Sequence, residues 1–320
     1  MALLDPIYNE QLQTAMLEGL VQNIDVLNQS SAGTILLGTE DFYGNYMEST
    51  HYDRIADMIE RRDITSDAAT TDKRMSLIED VEVVIDYKSK ILETYENFRR
   101  RGKTMEEFVS VVGRQFAEEF VKRHLNLMVS GLVAAVDNNT AMVDVTLKAA
   151  TASIDHLLKA DELFGEKYGE VSAYLMNASA FHKLRKDQAD NYKIDNVAGV
   201  LVATGMSFSL GKPVIVSNIP SLTYNDGTND LNRILALTPS AINMNERSGR
   251  LTSMQEVTDQ ENLAMRIAIE GSVKCGIKGY AWDKANGGTT PSDAAIATGT
   301  NWDLITSNEL SAAALVEALK

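Results

Sequence analysis

Cysteine is nearly absent: Cys275 is the only one in 320 residues. That excludes an intrachain disulfide framework and a cysteine-built zinc module. Four scattered histidines argue against a histidine-built metal centre. Proline occurs only 5 times, and 44% of the residues are hydrophobic, a globular rather than a disordered or collagen-like composition. Basic charge is scarce. Asp and Glu number 45 against 30 Lys and Arg, giving a net charge of −15. Such a chain repels phosphate backbones, which disfavours a nucleic-acid-binding module. Long apolar runs are missing too. The longest uncharged stretch, Asn196–Gly211, falls short of the ~20 residues a spanning helix needs and is broken by glycine. No Lys or Arg precedes Arg54, so the start of the chain does not read as a secretory signal, and a reducing, cytoplasm-like compartment is expected.

What is present divides the chain into five stretches. Residues 1–30 read as an arm carrying a short amphipathic helix, with Leu12, Met16, Leu20, Ile24 and Leu27 at helical spacing and Ser30–Gly33 as its end. Residues 31–103 contain short apolar runs among many charges and read as a long excursion without a core of its own. Within it, Val81, Val83, Ile85 and Tyr87 alternate with Glu82, Val84 and Asp86 as a half-buried strand would. A helical alternative through Ile78, Val81, Ile85, Leu92 and Tyr95 competes with it. Thr50–Ile59 predicts a short capped helix, and Asp63–Asp72 a polar loop tip. Residues 104–138 predict one long helix, about 50 Å at ~1.5 Å per residue. Thr104 and Glu107 form a capping-box pattern, and Phe108, Val112, Phe116 and Phe120 begin a stripe that runs to Val136. Gly113 and Gly131 permit close packing or bends.

Further on, 147–164 predicts an amphipathic helix ended by Gly165. A strand at Val171–Met176 leads to a helix capped by Asn177. Strands follow at Val200–Val202, Pro213–Ser217, Arg233–Leu237, Ala241–Met244 and within Met265–Trp282. Asn225-Asp226-Gly227 marks a turn. Lys284–Thr300 reads as a loop, and Ser307 as the cap of a last helix, Asn308–Lys320. No period of 20–50 residues recurs.

The motif search yields no catalytic, cofactor or metal residues. Gly211-Lys212-Pro213 has proline where a phosphate loop needs Ser or Thr. Asn225–Asp230 lacks the closing glutamate of a calcium loop. Cys275 next to Lys274 could be an activated thiol, yet on a strand Lys274 points to the opposite face. Buried small apolar packing is therefore the expectation. His124, His156 and His182 are expected to be solvated or partner-bonded, and Glu118-Glu119 to lie on a solvated helix face. The basic run Arg99-Arg100-Arg101-Gly102-Lys103 is expected to meet acidic protein surface rather than nucleic acid.

The order of these parts resembles the major capsid proteins of tailed double-stranded DNA bacteriophages, with their HK-ninety-seven-like fold. Val81–Tyr95 running through Arg99–Lys103 into Met105–Val136 looks like the return strand of the extended loop entering the spine helix. Val171–Leu184 looks like the strand-and-helix segment of the axial domain, with Ala178 in place of the usual proline. Leu210–Ser217 (LGKPVIVS) and Met265–Trp282 resemble further strands of that fold. The resemblance implies an α+β chain partitioned as 1–30 N-terminal arm, 31–103 extended β loop, 104–146 peripheral domain with the spine helix, 147–250 axial domain, and 251–320 peripheral return strands with the C-terminal segment. It implies a structural protein, not an enzyme, with no cofactor. Homo-pentamers and homo-hexamers would assemble in the host cytoplasm into the icosahedral head of the virion. The implied partners are a separate scaffolding protein, a portal, a decoration protein and packaged DNA held weakly and without sequence specificity; no membrane is implied. Two alternatives stay open: an encapsulin-like cellular shell storing enzyme cargo, and an acidic α/β enzyme.

Overall fold

The computed structural model describes residues 4–52, 59, 64–65, 72–102, 104–186, 193–197, 200–204, 209–259 and 261–320. The loop tip expected at Asp63–Asp72 lies largely outside the described residues.

Helix α1 (Leu4–Ser30) is long rather than short, and it is not an unattached arm. Leu12, Met16, Leu20 and Leu27 are buried because α1 lies along α3 (Met105–Asn138) of the same chain. Small residues at the crossing permit this. A Cβ built on Gly113 would stand 2.9 Å from the Cβ of Ala15, and one on Gly19 would stand 3.0 Å from that of Ala117. α3 begins as its sequence predicts, with the Thr104 hydroxyl accepting the Glu107 N–H at 3.3 Å. Its second half is buried on nearly all sides through Leu125, Met128, Val129, Leu132, Val133 and Val136, as expected of a helix enclosed between layers. Gly131 lets Ile296 and Trp302 approach that half.

Two mixed sheets pack on this pair of helices. The first is organised around β13 (Ala264–Ile277). Along one edge β13 pairs antiparallel with β3 (Leu77–Thr94), from Val83↔Cys275 to Thr94↔Ala264. Its other edge is shared between β12 (Leu251–Val257) and β11 (Ile242–Arg247). β1 (Ile35–Glu40) adds parallel to β11, β2 (Tyr46–Tyr52) pairs among the described residues only with β3, and β14 (Tyr280–Trp282) and β15 (Trp302–Leu304) complete the sheet. The strand reading of Val81–Tyr87 therefore holds over the helical one. Thr50–Tyr52, expected to start a helix, is instead the end of β2. β-branched and aromatic neighbours favour the pleated ladder.

The excursion has no core of its own, but its strands add to the core built with α1, α3 and β13. Ile35, Leu37, Phe42, Val81, Val83 and Ile85 are buried. Among the described residues the β2–β3 hairpin past the end of β13 is poorly covered. Tyr52 is 71% and Leu77 62% exposed.

The second sheet runs β4-β16-β10-β5-β8-β7-β6, with β9 beside β10. These are β4 (Val143–Asp144), β5 (Ala173–Met176), β6 (Lys193–Val197), β7 (Val200–Thr204), β8 (Val214–Val216), β9 (Thr223–Asn225), β10 (Asp230–Leu237) and β16 (Ala313–Leu319). α4 (Ile154–Glu162) is shorter than the helix expected over 147–164, and α5 (Ala178–Lys186) starts where Asn177 accepts the Ser179 N–H at 2.8 Å.

The C-terminal segment is a correction. Asn308–Lys320 is not a helix: Asn308–Leu310 forms one 3₁₀ turn and 313–319 is strand β16, antiparallel to β10 from Leu231↔Leu319 to Leu237↔Ala313. AALVEAL has helical propensity. Ladder partners on both sides and burial of all but its last residue override a preference of a few tenths of a kcal/mol per residue. β16 thus joins the strands of 147–250, not the return strands of the first sheet. The loop expected at 284–300 contains two short helices, α6 (Lys284–Gly287) and α7 (Asp293–Ile296). It is pinned by Trp282, whose indole N–H donates to the Gly288 carbonyl, and Trp302, which donates to that of Ile296.

Candidate functional site

The residues singled out in the sequence do not converge. Cys275 is buried, and burial pushes its thiol pKa far up. Val273, Cys275 and Ile277 share the core-facing side of β13, while Lys274 points the other way. His124 is also buried, with Nδ1 donating to the Phe120 carbonyl at 2.8 Å. His156 is bound on both ring nitrogens, by Ser153 and by the Leu147 carbonyl. Burial lowers the pKa of both imidazoles. His182 is exposed, as are Glu118 and Glu119. Lys212 forms an ion pair with Asp161 at 2.8 Å. Asp226 receives the N–H groups of Thr228 and Asn229, closing a turn. Among the described residues no group of three or more His, Cys, Asp or Glu side chains could hold a metal ion.

What the first sheet does assemble are two polar clusters made possible by glycine. Gly271 faces Tyr87 in register. A Cβ there would lie 2.6 Å from the ring Cζ, so only glycine lets the ring cross β13. Beyond it the Tyr87 hydroxyl meets Glu246, and the Arg250 Nε donates to that hydroxyl at 2.9 Å and to Glu246 at 2.8 Å. The guanidinium sits 5.2 Å above the Phe116 ring and 5.6 Å above that of Phe120. Tyr87 packs edge-on to Phe120 and His124. One cluster therefore ties β3, the 247–250 turn and α3 together.

On the opposite face Gly276 plays the same part for Glu82, whose Cγ and Cδ would stand 3.0 Å from a Cβ. Lys274 Nζ bridges Glu40 at 2.7 Å and Glu82 at 2.9 Å. Asn245 donates to Glu40 at 2.9 Å and Asn243 to Glu82 at 3.3 Å. Burial presses the Lys274 pKa down, and the bonds to the two carboxylates more than offset it, so the amine stays charged. The hydrogen bond from Lys274 lowers the pKa of Glu40. This amine is a strut between β1 and β3, not a nucleophile. Sequence reading missed both clusters, because Glu40, Glu82, Glu246 and Arg250 stand far apart in the chain and form no local motif.

An open cleft of about 770 Å³ lies between β3, β13 and the 247–250 turn. Among the described residues its lining has carboxylates, Lys88, Arg247 and Arg250, but no Cys or His. Arg250 in its wall is ion-paired with Glu246, and the Ser272 hydroxyl donates to Asp86 at 2.6 Å with no histidine in the described lining beside it. The arrangement suits rigidity and contact rather than catalysis. No helix among the described residues is long and apolar enough to cross a membrane.

Comparison with known proteins agrees with that character. A family model described as Gp13-like, major capsid protein 13-like, matches residues 6–315. No curated relative matches at the level of sequence. Among solved structures the chain is similar to the capsid of Ralstonia phage GP4, with a TM-score of 0.55 and 11% identity over 90% of this chain and 88% of that one. It is similar to the cyanophage Pam1 capsid asymmetric unit, at 0.55 and 8% over 89% and 88%. The acidic stable capsid of Helicobacter pylori bacteriophage KHP30 follows at 0.52 and 8% over 91% and 88%.

Proposed function

This chain belongs to the Gp13-like family, major capsid protein 13-like, and we propose that it closes the phage head through rings of five and six copies of itself. It is a structural major capsid protein, and its place is the capsid of the virion. The capsid structures share its α+β architecture. The encapsulin-like and enzyme readings are not favoured by the family match.

The observation that carries the ring proposal is the uncovered hairpin. Among the described residues β2 pairs only with β3, its last five residues are exposed, and Tyr52 and Leu77, paired with each other across the hairpin, remain 71% and 62% exposed. Apolar surface of that kind is stabilised by a neighbour. In this reading the hairpin is the outer part of an extended loop within 31–103. The residues around α3 and the first sheet make a peripheral domain, and the second sheet makes an axial domain that now includes β16. A scaffolding protein, a portal and a decoration protein act as separate chains. Packaged DNA meets an acidic shell, at −15 per copy, and is held weakly because like charges repel. No residue has a catalytic role. Mass measurements on early assembly intermediates test the proposal. Species of five and six copies support it; growth through dimers alone overturns it.

A further inference from the structure

The basic run at the end of α2 (Tyr95–Arg101) is not used by anything above. Phe98 anchors this helix against Phe108 of α3, with ring centroids 4.9 Å apart, which leaves Arg99, Arg100 and Arg101 in solvent. Among the described residues Arg99 and Arg100 form ion pairs with Glu96 of their own helix alone, at 3.6 and 3.3 Å, with their side chains 83% and 77% exposed. Such pairs contribute little. Arg101 has no ion-pair partner among the described residues. Lys103 lies outside the described residues.

A complementary feature occurs elsewhere on the same chain. A groove of about 600 Å³ runs between α1 and α3, lined by Glu10, Thr14 and Glu18 on one side and Glu106 and Ser110 on the other. Glu10, Thr14 and Glu18 recur every fourth residue and so share one helix face. Glu10, Glu18 and Glu106 are exposed, and no basic side chain among the described residues pairs with them. Glu10 and Glu18 are eight residues apart, about 12 Å along a helix, and α2 with its seven residues is about 10 Å long. The basic helix and the acidic groove match in charge and in length; Arg99 and Arg100 share one exposed Glu96, while Arg101 and the three groove carboxylates have no ion pair among the described residues.

We propose that the Arg99–Arg101 face of α2 docks into the Glu10–Glu18–Glu106 groove of a second copy of this chain. The inference rests on the capsid reading and deepens it by assigning one contact between copies. The second copy is favoured over nucleic acid by charge. With 45 acids against 30 bases, two copies repel over most of their surfaces, and a localised basic patch is where attraction and register concentrate. Guanidinium forks pair two-pronged with carboxylates.

Charge reversal tests the contact under conditions in which the wild-type chain assembles. R99E/R100E/R101E and E10K/E18K/E106K are each expected to melt like wild type by circular dichroism, because all six side chains are exposed. Each is expected to raise the concentration needed for assembly at least tenfold by light scattering. Mixing the two variants, or combining all six substitutions in one chain, should restore assembly, since the opposed charges are then matched again. Assembly unchanged in either variant overturns the proposal, and so does failure of both the mixture and the six-site chain to recover. Intact shells that only lose DNA retention would assign the arginines to nucleic acid instead. If the wild-type chain forms no shells at all, it is the capsid reading that fails, a result distinguishable from all of these.

Discussion

Replacing Gly271 with alanine probes the first sheet at its tightest point. The new Cβ would stand 2.6 Å from Cζ and 2.9 Å from Cε1 of Tyr87, where ordinary contacts lie near 3.5–4.0 Å. The ring must retreat by about 1 Å. It cannot do so freely, because its hydroxyl is held by Glu246 and Arg250 and its ring is packed against Phe116 and Phe120. Overpacking costs about 1–3 kcal/mol, and a weakened hydrogen bond to charged partners adds about 1.5–3 kcal/mol. The expected loss is therefore about 2.5–6 kcal/mol, a large part of the ~5–15 kcal/mol that holds a domain. Urea unfolding of unassembled subunits measures it. Gly169, with open space around its position and no left-handed backbone, serves as the control, and Gly169→Ala should change stability by no more than about 0.5 kcal/mol. In a Tyr87→Phe background the hydrogen-bond part is already gone, so Gly271→Ala should there cost at least about 1 kcal/mol less. A Gly271→Ala protein within about 1 kcal/mol of wild type, or full additivity with Tyr87→Phe, would refute the crossing of Tyr87 over β13.

Three further outcomes are expected. Lys274→Met leaves Glu40 and Glu82 facing each other without their cation and should cost about 3 kcal/mol in the same unfolding assay; wild-type stability would remove the strut. The Cys275 thiol, buried and with its pKa raised, should resist alkylation in the native protein and react only on unfolding, and Cys275→Ser should leave assembly intact. Burial holds the pKa of His124 and His156 below the ordinary value of about 6.5. The unfolded chain then binds more protons between the two values, so stability should fall as pH drops below about 6.5. His124→Phe should flatten part of that slope; a slope unchanged in this variant contradicts the assignment.

The long helix was legible because its signals are local. Thr104 and Glu107 cap it and the Phe108–Val136 stripe fills one face. The strand at Val81–Tyr87 was legible by alternation, and the β5–α5 step by Asn177. β16 was not, because Ala313–Leu319 carries helical propensity and only its ladder partners β10 and β4, from other stretches of the chain, decide its state. The burial of α1 was misjudged for a similar reason. Ala15 and Gly19 read as unremarkable until Gly113 and Ala117 of α3 lie against them. The Tyr87–Glu246–Arg250 and Glu40–Lys274–Glu82 clusters were invisible. Each unites strands remote in sequence, and the enabling residues are glycines, whose role is a missing side chain. The bland expectations for Cys275 and Lys274 held, since strand alternation alone separates them.

Electron microscopy of the purified chain, alone and together with the other head proteins of its phage, tests the capsid account most directly. Closed shells of uniform size built from this chain are the predicted result. A monomer that forms neither rings nor shells at high concentration, even with those partners present, would contradict it.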